Sequence, residues 1–321
     1  MNEDLTEPIF PPEARLVLVA STGGHLEQLH RWATRWGIAS NQLHWVTFSN
    51  EQSRSLLAGS NVTFVDYVRP RDVVGTLRTV RPIRDAAMEL RATAVVSTGA
   101  AVAVSAAIAS RVAGVPFTYI ESLARVDRLS MTARILMRFP RIRRFVQSER
   151  LSSRSFKHAG SILDDFRTET VTPRAHHERL RVFVTVGTIR PYGFDRLLEA
   201  VDRATVNDEV YWQTGESQYQ PTHGTVIRAM PRAELIEHLE ASDVVVAHAG
   251  VGSILSSLAA GRVPLVAARS KKYGEHIDDH QLDIANLLAH RGLVKLTDIH
   301  SLTRDDLVSA TGLTSKADVS N

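Results

Sequence analysis

The chain has 321 residues, 38 of them Lys or Arg and 35 Asp or Glu, and a net charge of +3 is too slight to argue for nucleic acid. It contains no cysteine, which excludes a disulfide framework, a thiolate nucleophile and any cysteine-based zinc site, and is compatible with a reducing cytosol. The length suits two domains of about 150 residues, each able to bury its own core.

Residues 1–12 are acidic and proline-bearing, unlike a secretory signal with its basic start and apolar core, and are expected to form a flexible leader. Beyond them, β-rich runs at 16–20, 43–48, 63–68, 95–97 and 117–120 alternate with helical stretches. That rhythm predicts a parallel sheet in a Rossmann-like unit over 13–170. The first run ends in Ser21-Thr-Gly-Gly-His-Leu-Glu-Gln-Leu29, a glycine turn feeding a helix. It has neither the G-x-G-x-x-G spacing of a dinucleotide site nor the Gly-Lys-Ser/Thr of a Walker loop, which argues against a dehydrogenase or an NTPase. His25 sits on this turn beside Gly23 and Gly24, where backbone N–H groups suit an anion and an imidazole suits proton transfer. The alternative is that it caps or packs against the first helical turn.

The uncharged run 92–110 is long enough to suggest a membrane span, but it is rich in Ala, Ser and Thr and is broken at Gly99. It reads as strand, turn and helix. After the strand at 117–120, Glu121, Ser122 and Arg125 are placed to hold a sugar or a diphosphate, and Glu121 is a second candidate base. A solvated loop is the plain alternative. From Arg125 to Lys157 the chain carries Arg128, Arg134, Arg138, Arg141, Arg143, Arg144, Arg150 and Arg154, interrupted by Leu136, Met137, Phe139 and Phe145. Such a stretch docks on an anionic leaflet, at about 1 kcal/mol per basic residue, or forms an ordinary solvated basic helix. Thin aromatic interleaving again disfavours nucleic acid. Residues 169–179, with Pro173 and no apolar periodicity, read as the linker.

A second Rossmann-like unit is expected over 180–313, with the cleft between the halves. The run 243–247 reads as a buried parallel strand, and Ser253 onward, with Leu255, Leu258 and Ala259, as a helix. They are joined by His248-Ala-Gly-Val-Gly252. Gly250 and Gly252 let the backbone approach a ligand, and the helix's first N–H groups suit a diphosphate, although a structural turn would use the same glycines. After a strand at 263–268, Arg269, Lys271 and Lys272 either favour an anionic sugar or form an exposed loop. Tyr273-Gly-Glu-His-Ile-Asp-Asp-His-Gln281 then opens a helix containing Leu282, Ile284, Leu287 and Leu288. At the carboxyl end of a strand, Glu275, His276, Asp279, His280 and Gln281 face the same crevice as the glycine turn and supply the mixed donors and acceptors that sugar hydroxyls need. A metal between His276 and His280, four apart, is the competing reading, and helix capping by Asp278 or Asp279 the structural one.

The pieces Val182-Phe-Val-Thr-Val-Gly-Thr188, Phe194-Asp-Arg-Leu197, Trp212-Gln-Thr-Gly215, Ala241-Ser-Asp243, the 248–253 turn and Gly274-Glu-His-Ile-Asp-Asp-His-Gln281 follow in the order of the donor-binding half of glycosyltransferase family 28, which this segment resembles. It is especially similar to the small catalytic subunit of the eukaryotic transferase that adds the second N-acetylglucosamine to dolichyl-diphosphate-GlcNAc, and to bacterial exopolysaccharide relatives. The 21–29 turn, Val95-Val-Ser-Thr-Gly-Ala100, residues 119–134 and Phe145-Val-Gln147 resemble that enzyme's membrane-anchoring partner, so the chain resembles both subunits fused.

The resemblance implies an α/β GT-B fold, two Rossmann-like doubly wound domains. It implies inverting, metal-independent transfer from a UDP-sugar to a polyprenyl-diphosphate-linked or other membrane-borne acceptor, in polysaccharide or glycolipid synthesis. The enzyme would be cytoplasmic, peripheral on the inner face of the cell membrane, beside other polysaccharide-assembly proteins. Gly187, Thr188, Gly215, His248, Gly250, Gly252, Ser253, Glu275, His276, Asp279, His280 and Gln281 would then serve the donor, Gly23, Gly24, Ser122 and Arg125 the acceptor, and His25 the proton. No metal or other cofactor is implied, and the adjacent Asp278 and Asp279 do not make an Asp-x-Asp motif. One departure concerns ribose: the glutamate that some members carry six residues after Gly250 is Ser256 here, so a hydroxyl, a water or another mode holds the nucleoside. A UDP-sugar 2-epimerase-like enzyme and a catalytically silent nucleotide-sugar-binding partner are the other readings.

Overall fold

The inner strands are buried at every position rather than at alternate ones: all four residues of β1 (Leu16–Val19) are apolar and fully buried, and every residue of the strands at 94–97, 117–120 and 244–248 is buried. A strand without a polar face needs cover on both sides, the setting of parallel sheets. In the computed structural model, which describes residues 9–68, 72–188, 191–276 and 280–317, the chain divides into two units between Ile162 and Leu163.

In the first unit β1 is followed by α1 (Gly24–Arg35), β2 (Leu43–Phe48), α2 (Glu51–Leu56), β3 (Val62–Val65), α3 (Val73–Glu89) and β4 (Ala94–Ser97). Then come α4 (Val102–Ala113), β5 (Phe117–Ile120), α5 (Met131–Leu136), β6 (Ile142–Val146) and β7 (Lys157–His158). The sheet is parallel, in the order β3-β2-β1-β4-β5-β6-β7. Val17, Val46 and Val95 pack with Ile83 of α3 and with Ala103 and Ala106 of α4, side chains that contribute up to about 1.5–3 kcal/mol each for the larger ones. The uncharged run at 92–110 is β4, a turn and α4. No helix among the described residues is long and apolar enough to cross a membrane.

The second unit runs β8 (Phe166–Thr170), β9 (Arg181–Thr185), α6 (Asp195–Ala204), β10 (Glu209–Gln213), β11 (Thr225–Ile227), α7 (Arg232–Ala241) and β12 (Val244–His248). It continues with α8 (Val251–Ala259), β13 (Leu265–Ala267), α9 (His280–His290), β14 (Lys295–Leu296), α10 (Arg304–Ala310) and β15 (Leu313–Ala317). Its six-stranded sheet has the order β11-β10-β9-β12-β13-β14, also parallel, and β8 pairs antiparallel with β15. Both sheets therefore reverse direction beside their first strand, between β1 and β4 and between β9 and β12. Ligands in doubly wound sheets bind at that reversal, outside the carboxyl ends of the strands.

Several sequence expectations need correcting. Residues 1–8 lie outside the described residues, but the rest of the expected leader is packed, because Phe10 is buried edge-on against Trp36 with ring centroids 4.9 Å apart. The domain limits of 13–170 and 180–313 shift, because β8 belongs to the second unit through its pairing with β15. The expected linker at 169–179 is likewise bound within that unit: Val171 N–H donates to the Gly312 carbonyl at 2.9 Å and Arg174 N–H to Thr311 Oγ1 at 2.8 Å. The basic stretch 125–157 is not one helix. It holds the short α5 and two strands, and Arg144 donates to the Leu136 carbonyl at 2.8 Å at the end of α5.

Candidate active site

At the reversal in the first unit, the chain leaves β1 through Gly23, whose φ of +74° is left-handed, and enters α1 at Gly24. This places His25 beside the turn after β4. His25 Nδ1 lies 2.8 Å from the Thr98 carbonyl, and Thr98 Oγ1 donates to the His25 carbonyl at 2.8 Å. A carbonyl only accepts, so Nδ1 carries the hydrogen, and in the neutral tautomer the lone pair lies on Nε2. The fit depends on Gly99: a Cβ there would stand 2.9 Å from His25 Cε1, at a φ of +124°. Capping does not account for His25, since α1 has no side-chain cap.

Glu121 does not stand as a base. Its carboxylate is buried and accepts from the Tyr119 hydroxyl and from the N–H groups of Ser122 and Ser130, each at 2.9 Å. Ser122 is turned inward too, its Oγ accepting from Gln28 Nε2 at 3.2 Å. Arg125 is half-buried one turn further, its N–H on the Ser122 carbonyl at 2.9 Å.

At the reversal in the second unit the same pairing of histidine and glycine recurs. His248 ends β12, buried between Gly187 and Gly250: a Cβ at Gly187 would lie 2.7 Å from its Cε1, and one at Gly250 2.1 Å from its Nε2. Gly187 has φ +71° and Gly215 φ +55°, and a Cβ on Gly215 would meet the Gly187 carbonyl at 2.1 Å and approach the Thr188 Cα at 3.7 Å. These glycines let three strand ends close around one imidazole. The helix begins earlier than its sequence suggests, at Val251, so Gly252 and Ser253 fall in its first turn. The first bond to return is Ile254 N–H to the Gly250 carbonyl at 3.1 Å, which leaves the N–H groups of Val251, Gly252 and Ser253 without helical acceptors.

Burial, then the charge of Arg269, pushes the His248 imidazole from 6.5 down to about 3, against a backbone hydrogen bond to Thr185 that raises it. The ring is neutral at any physiological pH. The unfolded chain, titrating near 6.5, binds more protons than the native state between these values, so stability present above 6.5 is lost as pH falls toward about 3. The loss approaches about 1.4 kcal/mol per pH unit. Denaturant unfolding between about pH 4 and pH 7 should show a shallower acid dependence for His248→Asn than for the natural protein; equal slopes would contradict a neutral buried imidazole.

Arg269 is the residue that the sequence places least well. It is not in an exposed loop but 1% exposed, its Nη2 donating to the Val186 carbonyl and its Nη1 3.5 Å from the Glu275 carbonyl. Burial lowers its pKa to about 10, Glu275 opposing, so it remains a cation at the strand ends. Lys271 and Lys272 are exposed. Glu275 is committed internally: it receives Arg196 through two bonds of 2.8 Å and the Ser270 N–H at 3.0 Å. It holds the loop and is not available to sugar hydroxyls. Arg196 in turn lies over the Tyr273 ring at 3.8 Å, and these residues with Gly193, Asp195 and Gly274 line a surface pocket of about 340 Å³. His276 is buried, its ring 5.8 Å from Tyr192, and Gln281 accepts the Arg269 N–H at 3.2 Å. His280 opens α9; Asp278 and Asp279 lie outside the described residues, and the expected capping and metal readings with them. Among the described residues no three His, Asp or Glu side chains cluster as a metal site.

Residues 181–306 match the model of the glycosyltransferase family 28 C-terminal domain. The second unit is therefore similar to that domain over most of its length. Position six after Gly250 in this domain is Ser256, buried on α8 with its Oγ 3.5 Å from Arg232 Nη1, so a guanidinium stands near where some members have a carboxylate. No curated protein sequence matches the chain. Among solved structures, MurG of Acinetobacter baumannii is 19% identical with a TM-score of 0.52, over 91% of this chain and 88% of that one. The glycosyltransferase SnogD of Streptomyces nogalater is 16% identical with a TM-score of 0.57, over 93% and 91%. MnaA of S. aureus, solved with UDP, is 10% identical with a TM-score of 0.56, again over 93% and 91%. The fold is GT-B, two Rossmann-like units, as expected.

Proposed function

We propose that this protein is an inverting, metal-independent glycosyltransferase that moves a sugar from a UDP-sugar to a polyprenyl-diphosphate-linked or other membrane-borne acceptor. The observation that carries the reading is the family 28 domain with a neutral histidine packed between two glycines at its sheet reversal, under a helix start. Three unshared N–H groups and the buried Arg269 cation offer fixed positive potential to a diphosphate. UDP held by the same fold in MnaA supports that ligand. His25 Nε2 takes the proton of the acceptor hydroxyl as its oxygen bonds to the anomeric carbon; the bond from that carbon to the UDP oxygen breaks on the opposite face, and the charge leaves with UDP. The pocket beside Arg196 and Tyr273 is polar enough for sugar hydroxyls.

A membrane-borne acceptor is supported by the surface of the first unit. Val73, Val74 and Leu77 on α3 are 69%, 59% and 56% exposed, next to exposed Arg78 and Arg81. Met131 and Met137 stand out around α5 beside exposed Arg134 and Arg138. Apolar side chains ringed by arginines suit shallow insertion at an anionic leaflet. These surfaces support a peripheral position at the inner face of the membrane.

The test is UDP release by the purified protein from UDP-glucose, UDP-glucuronate, UDP-galactose and UDP-GlcNAc, with and without membrane lipid. One donor should be consumed only when lipid is present, and EDTA should change that rate less than about twofold, because fixed dipoles rather than a metal meet the leaving charge. A rate abolished by EDTA and restored by Mg²⁺ would refute metal independence. UDP binding without turnover of any donor would favour the silent partner.

A further inference from the structure

The Glu121 carboxylate, 1% exposed, ties together both ends of one loop. Its Oε1 accepts from Tyr119 and Ser122 at the start, and its Oε2 from Ser130 at the end. Between them lie Arg125 and Arg128. Tyr119 is fully buried, and burial followed by the charge of Glu121 raises its hydroxyl well above the usual range, so it stays a protonated donor. The same hydroxyl lies 3.3 Å from Ser130 Oγ, which caps α5 by accepting the Ala133 N–H at 3.0 Å.

This loop is fastened to the two elements that hold His25. Gln28, three residues further along α1, accepts the Leu123 N–H at 2.8 Å and donates to Ser122 Oγ. On the other side, Thr132 Oγ1 of α5 donates to the Ala100 carbonyl at 3.3 Å, in the turn whose Thr98 carbonyl orients the imidazole. A Cβ at Gly99 would touch both partners, 2.9 Å from His25 Cε1 and 3.6 Å from the Tyr119 hydroxyl. Gly99 and Ala100 have φ of +124° and +62°, and a side chain in the left-handed region is strained, so the turn persists because its surroundings hold it.

We propose that Glu121 is a positioning residue that registers the 121–130 loop, and with it the acceptor, against the imidazole of His25. It takes no proton from substrate. The inference rests on the glycosyl-transfer reading. Glu121→Gln puts an amide donor where an N–H or O–H must be accepted, which opens one end of the loop. Tyr119→Phe removes one of three donors and is the gentler variant. In Glu121→Gln the KM for acceptor should rise about tenfold or more, while the KM for the donor and the pH profile of kcat stay as in the natural protein. A collapse of kcat at saturating acceptor with an altered pH profile would make Glu121 the base and overturn the proposal.

Amide exchange separates this inference from the reading on which it rests, because it needs no turnover. In both variants faster exchange over 121–133 should spread to Thr98–Ala100 and leave the second unit unchanged. Faster exchange confined to 121–133 overturns the registration, whatever the activity of the natural protein. Spreading exchange in a protein without acceptor-dependent turnover supports the registration and overturns the transfer reading instead.

Discussion

Replacing His25 with alanine should lower turnover by roughly 10² to 10⁴ and leave the affinity for UDP-sugar unchanged, because a general base contributes that much to the rate and nothing to donor binding. The imidazole Nδ1–H is committed to the Thr98 carbonyl at 2.8 Å, which fixes the ring plane and leaves the lone pair on Nε2. Gly99→Ala should reproduce part of the loss with His25 still present, since the new carbon would stand 2.9 Å from Cε1 and turn the ring away. Isothermal titration with UDP-sugar beside single-turnover kinetics separates the two quantities. Equal loss of binding and turnover in His25→Ala would make the histidine a structural residue of the first helical turn.

The second large effect is expected at Gly250. An alanine Cβ would fall 2.1 Å from His248 Nε2, and the ring has no retreat, because on its other side Gly187 is as close as a glycine allows. Gly250→Ala should weaken UDP binding more than tenfold and destabilise the second unit by about 1–3 kcal/mol through overpacking. The double variant His248→Ala with Gly250→Ala relieves the clash, and should recover stability beyond the single glycine variant without recovering UDP affinity. Undiminished UDP binding in Gly250→Ala would remove the 248–253 turn from the donor site.

Both predictions concern residues on turns that stood out in the chain, and the physics explains why. β2 and β5 appear at 43–48 and 117–120 as read, since a short apolar run rich in β-branched and aromatic residues has few other uses. The glycine turns at 23–24 and 248–252 were legible because each lies between such a run and an amphipathic helix. What the sequence hid are partnerships over long separations. Glu275 looked like a sugar ligand because its partner, Arg196, lies 79 residues away. Arg269 looked solvated because it precedes two exposed lysines, whereas the carbonyl it serves, Val186, is 83 residues distant. Glu121 looked like a base for a different reason: its three donors lie within nine residues, but they are two backbone N–H groups and a tyrosine hydroxyl that no side-chain pattern advertises. The β8–β15 pair joins residues near 168 and 315 and has no local signature, so it set the domain limits unseen.

The most direct test follows the sugar itself. The purified protein is incubated with a radiolabelled UDP-sugar of the donor it consumes and with membrane lipid, and the label is partitioned between aqueous and organic phases. Label passing into the lipid phase in amounts equal to the UDP released, and lost in His25→Ala, is the result expected of a transferase acting on a membrane-borne acceptor. Label that stays in the aqueous phase as an altered UDP-sugar, with or without lipid, would contradict transfer and point to an epimerase.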